Sequence, residues 1–235
     1  MKITLYGIIT AFSLIIGVSF VNNLLLKDYF ILFTIFLISI YTQHIWCKDC
    51  SSSYSLASHL TVMPILILVF FNCSNIHMII FAFSVACAIG RIGCFFAGCC
   101  TGKLTNSSLF EINYTKDYVI NKQTNKTNVY VYPTIFIEII SQFIIAYLVY
   151  YHKFGIILYG ILNAILLIFT SFWRHKKRMN NNIYLPVISL FLFSYMVYKK
   201  NCYKNLQIYP KFVIKPTSVI FGIILGLIVS NDIQI

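Results

Sequence analysis

The sequence predicts an all-α, polytopic membrane helix bundle, and three observations support that prediction. Of the 235 residues, 59% are hydrophobic and 10% are charged, and the mean hydropathy is +0.81. Apolar runs of roughly 20 residues, the length that a spanning helix needs, follow one another along the chain. Backbone polar groups in lipid must be satisfied within their own segment, which favours helices. These properties exclude an ordinary soluble domain.

Seven spans are predicted, with an eighth candidate near the C-terminal end. The first run lacks a small-residue cleavage site before a polar region, so we interpret it as a span and not as a signal peptide. The eighth candidate contains Lys215 and Pro216, which interrupt its apolar pattern. The candidate spans are residues 4–22, 29–46, 56–71, 76–98, 129–151, 154–173, 183–198 and 212–230.

We expect a single integral membrane domain over residues 1–235, placed in the cell membrane as a multi-pass protein. Residues 104–128 are a long polar segment between spans four and five, which we interpret as a polar loop or a small head. The net charge of +12 lies mainly in loops, where lysines set topology and meet anionic lipid headgroups. Membrane lipid is therefore an expected partner. Basic and aromatic residues are not interleaved on a soluble surface, so no nucleic acid partner is expected.

Two basic clusters compete for the cytoplasmic side. Residues 174–178 carry four cationic side chains, and five lysines lie between residues 199 and 215. If residues 183–198 span, these clusters lie on opposite sides, and both cannot obey the positive-inside tendency. We place the larger second cluster in the cytoplasm, which puts the 104–128 segment on the opposite side.

Arg91 is the first candidate site residue. The chain has three arginines against fifteen lysines, and Arg91 lies inside the fourth apolar run. A charge at the centre of a membrane helix costs on the order of 2.5–3.5 kcal/mol on insertion scales. Its planar guanidinium suits phosphate or carboxylate, and Gly90 and Gly93 beside it would admit a headgroup or another backbone. The alternative is that Arg91 ends the span and extends to the interface.

Glu138 is the second candidate, because it is the one carboxylate inside a predicted span. An intramembrane carboxylate indicates a functional site by default, and Arg91 is its expected partner. The alternative is a structural ion pair that holds spans four and five together.

Two motifs together resemble those of the prolipoprotein diacylglyceryl transferase family. One reads Gly-Arg-Ile-Gly-Cys-Phe from Gly90 and continues to Gly-Cys-Cys-Thr-Gly-Lys at Lys103. The other reads Pro-Thr-Ile-Phe-Ile-Glu from Pro133 to Glu138. The resemblance runs weakly over about residues 56–198. It implies a seven-span enzyme that moves a diacylglyceryl group from phosphatidylglycerol to the lipobox cysteine of a prolipoprotein signal peptide.

The resemblance also implies roles for individual residues. Arg91 falls on the family's essential arginine, and Arg174 falls on its second arginine. His59 matches the histidine of a His-Gly-Gly segment, although a lone histidine on an apolar face is usually a core residue. The alternative interpretation of Arg174 is a charge that only flanks a predicted span. The implied catalytic residues are Arg91, His59 and Glu138, and the implied substrate-binding residues are Gly90, Gly93, Arg174 and Tyr132.

Several positions differ from the family pattern. Cys94 and Ala97 stand in place of asparagines, and Cys99 stands in place of a glutamate. Tyr132 takes the position of a histidine, and Ile137 that of a tyrosine. The chain is thus more similar to a cysteine-bearing version of the motif. A homologue that binds lipid but has lost catalysis remains an alternative.

The implied chemistry suits the residues that match. Two arginines can hold the phosphodiester of phosphatidylglycerol and stabilise the charge of the leaving glycerol phosphate. The attacking thiol must become a thiolate, and cationic surroundings favour that form. His59 or Glu138 would take its proton. No cofactor is expected.

The eight cysteines leave a further alternative open. Cys47 and Cys50 form a Cys-x-x-Cys pair, which would suit a membrane thiol–quinone oxidoreductase. No set of His and Cys residues shows metal-ligand spacing, so no metal is expected. We interpret most cysteines as small core residues, with a stabilising disulfide on the non-cytoplasmic face.

Overall fold

The computed structural model describes residues 4–21, 24–46, 56–105, 111–115, 118–173, 184–204 and 212–232. These residues form eight long helices, one short α-helix, a 3₁₀ helix at Cys202–Lys204 and a two-stranded antiparallel sheet. The elements are α1 (Leu5–Ser19), α2 (Leu26–Trp46), α3 (Leu56–Phe70), α4 (Cys73–Ala97), β1 (Ile112–Tyr114), α5 (Val119–Thr124), β2 (Val129–Val131), α6 (Thr134–Tyr151), α7 (Gly155–Trp173), α8 (Tyr184–Lys199) and α9 (Pro216–Asp232).

The predicted helical membrane fold is confirmed in its coarse form. Within the described residues, Asn75–Ala97, Thr134–Tyr151 and Gly155–Trp173 are long and apolar enough to cross a membrane. Three shorter apolar helices accompany them, at Leu5–Ser19, Tyr184–Lys199 and Pro216–Ile228. The number of spans, seven with an eighth candidate, stays a prediction.

Two predicted boundaries are wrong for local reasons. The run predicted as 129–151 begins with strand β2, because Val129, Tyr130 and Val131 pair with β1 in an antiparallel register. The helix starts only after Pro133. The run predicted as 212–230 becomes helical at Pro216, because proline suits the first helical position, where its missing N–H has no partner to lose.

Helix α4 lies at the centre of the packing. It contacts α1 on one side and α6 on the other, and α1 also packs along α9. The chain then continues from α6 to α7 to α8, and α8 contacts α3. Small residues allow the close approaches: a Cβ on Gly17 of α1 would lie 2.7 Å from the carbonyl oxygen of Ala82. Such small-residue contacts are typical of helices that pack in lipid.

The bundle is apolar outside and carries its polar residues inside. On α6, Glu138 and Gln142 are fully buried, whereas the outer face is apolar. This distribution fits a lipid environment, where polar groups turn towards neighbouring helices. Exposed side chains on α6 and α7 include Phe136, Ile140, Phe143, Ile144, Ile165, Phe169 and Phe172.

The two ends of the bundle differ. At one end, which we call the head end, β1, α5 and β2 pack around Tyr114, Ile120, Val129 and Val131, next to the C-terminal end of α4. At the opposite end, Cys73 and Cys202 form a disulfide. The expected disulfide therefore lies beside Lys199 and Lys200. This is the end of the bundle that the lysine cluster places in the cytoplasm. The two expectations conflict, because disulfides persist in oxidising compartments.

Candidate functional site

Arg91 and Glu138 form an ion pair where α4 crosses α6. Arg91 Nε lies 3.2 Å from Glu138 Oε2, and the two side chains are 5% and 0% exposed. The expected pairing of these two residues is therefore present. The interpretation of Arg91 as an interfacial side chain is wrong, because its guanidinium is buried between helices.

The glycines beside Arg91 differ in what they permit. A Cβ on Gly93 would lie 3.2–3.3 Å from Tyr6 and Ile9, so this glycine lets α1 approach α4 closely. A Cβ on Gly90 would meet its nearest atom, Ser13 Oγ, at 3.6 Å, an ordinary contact. In the bundle, α1 occupies the space that these glycines leave. Their predicted role in contacting substrate stays a prediction.

A glycine cap turns the chain back after α4. Gly98 has φ +61°, in the left-handed region. Its N–H donates to the Phe95 carbonyl at 3.1 Å, and the Cys99 N–H donates to the Cys94 carbonyl at 3.3 Å. These two bonds form a Schellman motif, which brings the residue after the cap against the last helical turn. Cys99 is thereby placed beside Cys94.

The segment after this cap meets the start of α6 and the end of α7. The Tyr132 N–H donates to the Lys103 carbonyl at 3.1 Å, and the Lys103 N–H donates to the Trp173 carbonyl at 2.6 Å. The rings of Tyr132 and Trp173 meet edge to face at 5.2 Å. Tyr132 thus lies at the head end as part of a structural junction. Arg174 follows Trp173 but lies outside the described residues.

His59 lies on α3 among defined neighbours. Its Nδ1 is 2.6 Å from Ser39 Oγ, and its ring stacks on Phe36 at 5.2 Å. The Ser39 hydroxyl also lies 2.7 Å from the Phe36 carbonyl, to which it donates. His59 is close enough to Arg91 for their charges to interact. It belongs to the same buried region as the ion pair.

An apolar pocket lies deeper in the bundle. Its volume is about 50 Å³, and residues of α1, α2, α3, α4 and α9 line it. Phe36, which stacks on His59, is one of its walls, and Ala86 of α4 is another. Ala86 precedes Arg91 by five residues, or roughly 7.5 Å along the helix axis. Five residues also turn about 140° around the helix, so Arg91 lies on a different face of α4 from Ala86 and is not among the lining residues.

Three thiols gather beside the ion pair. Arg91 Nη1 lies 3.7 Å from Cys94 Sγ, which in turn lies 3.7 Å from the Tyr6 hydroxyl. The sulfurs of Cys94, Cys99 and Cys100 lie within 4.8 Å of one another. Hydrogen bonds to Cys100 and Cys94, together with burial, raise the pKa of the Cys99 thiol well above its usual value. Cys99 is therefore a neutral thiol at neutral pH as long as no cation is bound.

The family model for prolipoprotein diacylglyceryl transferase matches residues 56–199. The chain belongs to this family. The match has nearly the same limits as the resemblance over residues 56–198, and it contains both the α4 and the α6 motifs. Neither the curated proteins nor the solved structures include a significant match.

Membership supports the general features of the predicted function. Prolipoprotein diacylglyceryl transferases form a transferase family of lipoprotein biosynthesis, whose substrates are a lipid and a prolipoprotein. With its long apolar helices, this family member is a membrane protein. The matched region contains Arg91, His59 and Glu138.

Sequence reasoning missed three polar residues of this prolipoprotein diacylglyceryl transferase family member. Gln142 Nε2 donates to Asn163 Oδ1 at 2.6 Å, and both side chains are fully buried. Gln142 lies four residues after Glu138, so the two share one face of α6. Tyr6 of α1 contacts Cys94. The sequence feature that could have revealed Gln142 and Asn163 is their position as polar residues inside apolar runs.

The cysteine pair of the alternative oxidoreductase, Cys47 and Cys50, lies outside the described residues.

Proposed function

We propose that the chain is a multi-pass cell-membrane enzyme that transfers a diacylglyceryl group from phosphatidylglycerol to the lipobox cysteine of a prolipoprotein. The observation that carries this proposal is the buried Arg91–Glu138 pair, located within the family match. Residues 1–235 act as one membrane domain in this proposal, with residues 104–128 as a small head.

Arg91 is the proposed phosphate-binding residue. Its Nε lies 3.2 Å from Glu138 Oε2 and its Nη1 lies 3.7 Å from Cys94 Sγ, and the five N–H donors of a guanidinium are enough to add a second anion. A bidentate grip on the phosphodiester would orient the lipid headgroup and stabilise charge as the ester bond breaks. Glu138 holds the guanidinium in place. The proposal also assigns roles to four further residues. Arg174 is a second phosphate ligand, and Gly90, Gly93 and Tyr132 are neighbours of the headgroup.

The transfer step balances without a cofactor. The acceptor cysteine loses its thiol proton to His59 or to Glu138, and its sulfur attacks the glyceryl carbon that bears the phosphate ester. A carbon–sulfur bond forms while the carbon–oxygen bond breaks. The electron pair leaves with glycerol phosphate, next to Arg91.

The test uses proteoliposomes that contain labelled phosphatidylglycerol and a lipobox peptide. Wild type should transfer label to the peptide, and Arg91→Ala should lower the rate on the order of 100-fold or more, as loss of a charge-stabilising group does. Lys200→Ala is the control, because Lys200 lies at the opposite end of the bundle, where its amine donates to the Leu68 carbonyl. It should keep the wild-type rate.

Two outcomes would overturn the transferase proposal. Equal transfer by wild type and Arg91→Ala would remove Arg91 from the chemistry. No transfer by wild type, with phosphatidylglycerol still bound, would show a lipid-binding homologue that lacks catalysis.

A further inference from the structure

Three cysteine sulfurs lie together at the head end of α4. Cys94, Cys99 and Cys100 place their Sγ atoms within 4.8 Å of one another, and the Cys99 and Cys100 sulfurs are 3.9 Å apart. A tetrahedral Zn²⁺ with Zn–S bonds of about 2.3 Å separates its sulfur ligands by about 3.8 Å. We propose that these three thiolates bind a thiophilic divalent metal ion of the Zn²⁺ type.

The backbone prepares this arrangement before any ion binds. The Schellman cap at Gly98 brings Cys99 against Cys94, because the residue after such a cap contacts the last helical turn. Gly98 is confined on its side-chain face, where a Cβ would lie 2.8 Å from Tyr118 Cβ. Cys94 is buried, and Cys99 and Cys100 are half-buried. The cluster is therefore anchored in the bundle and accessible from the head end.

Charge favours a divalent cation at this position. Three thiolates and one divalent ion carry a net charge of −1, and Arg91 Nη1 lies 3.7 Å from Cys94 Sγ. The Tyr6 hydroxyl lies at the same distance from that sulfur and would orient it from the other side. Sulfur ligands select soft or borderline ions, so Mg²⁺ and Ca²⁺ do not suit the site.

Within the part of the chain that the structure describes, the three thiolates leave one tetrahedral position for a further ligand. This open position is the mark of zinc sites that act on a substrate, whereas structural sites close with four protein ligands. A thiol that binds there is held as a thiolate, and His59 or Glu138 takes its proton as in the proposed transfer step. If the proposed transferase function holds, on which this one step rests, the acceptor cysteine of the prolipoprotein is that thiol. Metal binding itself does not depend on that function.

Co²⁺ is the probe, because it takes the same ligands as Zn²⁺ and its absorption reports thiolate ligation and tetrahedral geometry. The full chain, purified in detergent and kept reduced, should bind one Co²⁺ with thiolate charge-transfer and visible bands. Zn²⁺ should displace the Co²⁺. Cys94→Ser, Cys99→Ser and Cys100→Ser should each weaken binding at least tenfold, whereas Cys87→Ser, which lies outside the cluster, should not.

A second control addresses the other cysteine pair. A variant with Cys47→Ser and Cys50→Ser should keep the cobalt spectrum. Cys99→His should keep binding with a shifted spectrum, which separates loss of a ligand from misfolding. The proposal is overturned if wild type shows no cobalt–thiolate bands, or if the bands vanish in the Cys47/Cys50 variant. Metal binding without lipid transfer would overturn the transferase function and leave the metal site intact.

Discussion

At the scale of single residues, the Arg91–Glu138 pair raises the question of what a buried ion pair is for. Desolvation of two charges usually offsets their attraction, so such a pair is weak evidence for stability. Both side chains are nonetheless buried at the α4–α6 crossing. A functional role and a structural role for Arg91 predict different effects on activity and on stability. Substitutions of the pair can therefore distinguish the two roles.

Glu138→Ala should lower the free energy of unfolding by about 3–5 kcal/mol, because it leaves the Arg91 charge buried without its carboxylate. The double variant Arg91→Met with Glu138→Leu should recover most of that loss, since it removes both charges and fills the space. It should still transfer no lipid. Unfolding in mixed detergents and the proteoliposome assay measure the two properties. Full transfer by the double variant would make the pair purely structural.

Gly98→Ala should destabilise the protein by about 1–2 kcal/mol, because an alanine in the left-handed region is strained. The new methyl group also lies too close to Tyr118, so the cap should shift and cobalt binding should weaken. Gly90→Ala is the matched control, because its nearest neighbour would be at 3.6 Å. If both alanine variants have the stability and the Co²⁺ affinity of wild type, the proposed role of the Gly98 cap is wrong.

At the scale of helices, α1 lies between α4 and α9 and makes close contacts with both. Glycines supply the room: Gly17 faces α4, and Gly222 and Gly226 of α9 face α1. Hydrophobic attraction between helices is weak in lipid, so close backbone packing has to hold α9 in place. The eighth predicted helix therefore belongs to the bundle through small residues and not through its apolar character.

Gly226→Leu should separate α9 from α1, because a Cβ there already lies 2.8 Å from the Gly7 carbonyl oxygen. We expect a lower thermal midpoint of the detergent-solubilised protein. Ile220→Phe adds volume on the exposed face of the same helix, where Ile220 is 58% exposed, and should leave the midpoint nearly unchanged. A similar loss in both variants would contradict the small-residue packing of α9.

At the scale of the whole molecule, the disulfide and the lysines disagree about which end faces the cytoplasm. Cys73 and Cys202 are bonded at the end that also carries Lys199, Lys200 and Lys204. A stable disulfide implies an oxidising compartment, whereas lysine clusters favour the cytoplasm. The bond joins the start of α4 to the segment after α8, so it also fixes the end of the bundle opposite the site.

In intact cells, a variant that keeps Cys73 and Cys202 as its only cysteines should resist alkylation by a membrane-permeant maleimide until it is reduced. After reduction, two labels should be added. The mass shift on a gel measures the number of labels before and after reduction. As a control, a Cys73→Ser derivative should take one label without reduction. Labelling of both cysteines before reduction would place this end in the cytoplasm, as the lysines predict.

The chain by itself determined the class of the protein and the two charged residues of the candidate site. Apolar runs of spanning length predict helices in lipid because the backbone has no other partner there. An arginine and a glutamate inside such runs are costly enough to indicate each other. The α4 and α6 motifs were therefore recognisable, and the family match covers both of them.

The tertiary structure decided what these residues contact. The left-handed backbone at Gly98 folds Cys99 onto Cys94, a result of helix capping that cysteine spacing alone did not indicate. The pairing of Cys73 with Cys202 joins residues 129 positions apart, and no local pattern predicts such a contact. Local sequence patterns report periodicity and burial, whereas ion pairs, thiol clusters and disulfides depend on which helices become neighbours.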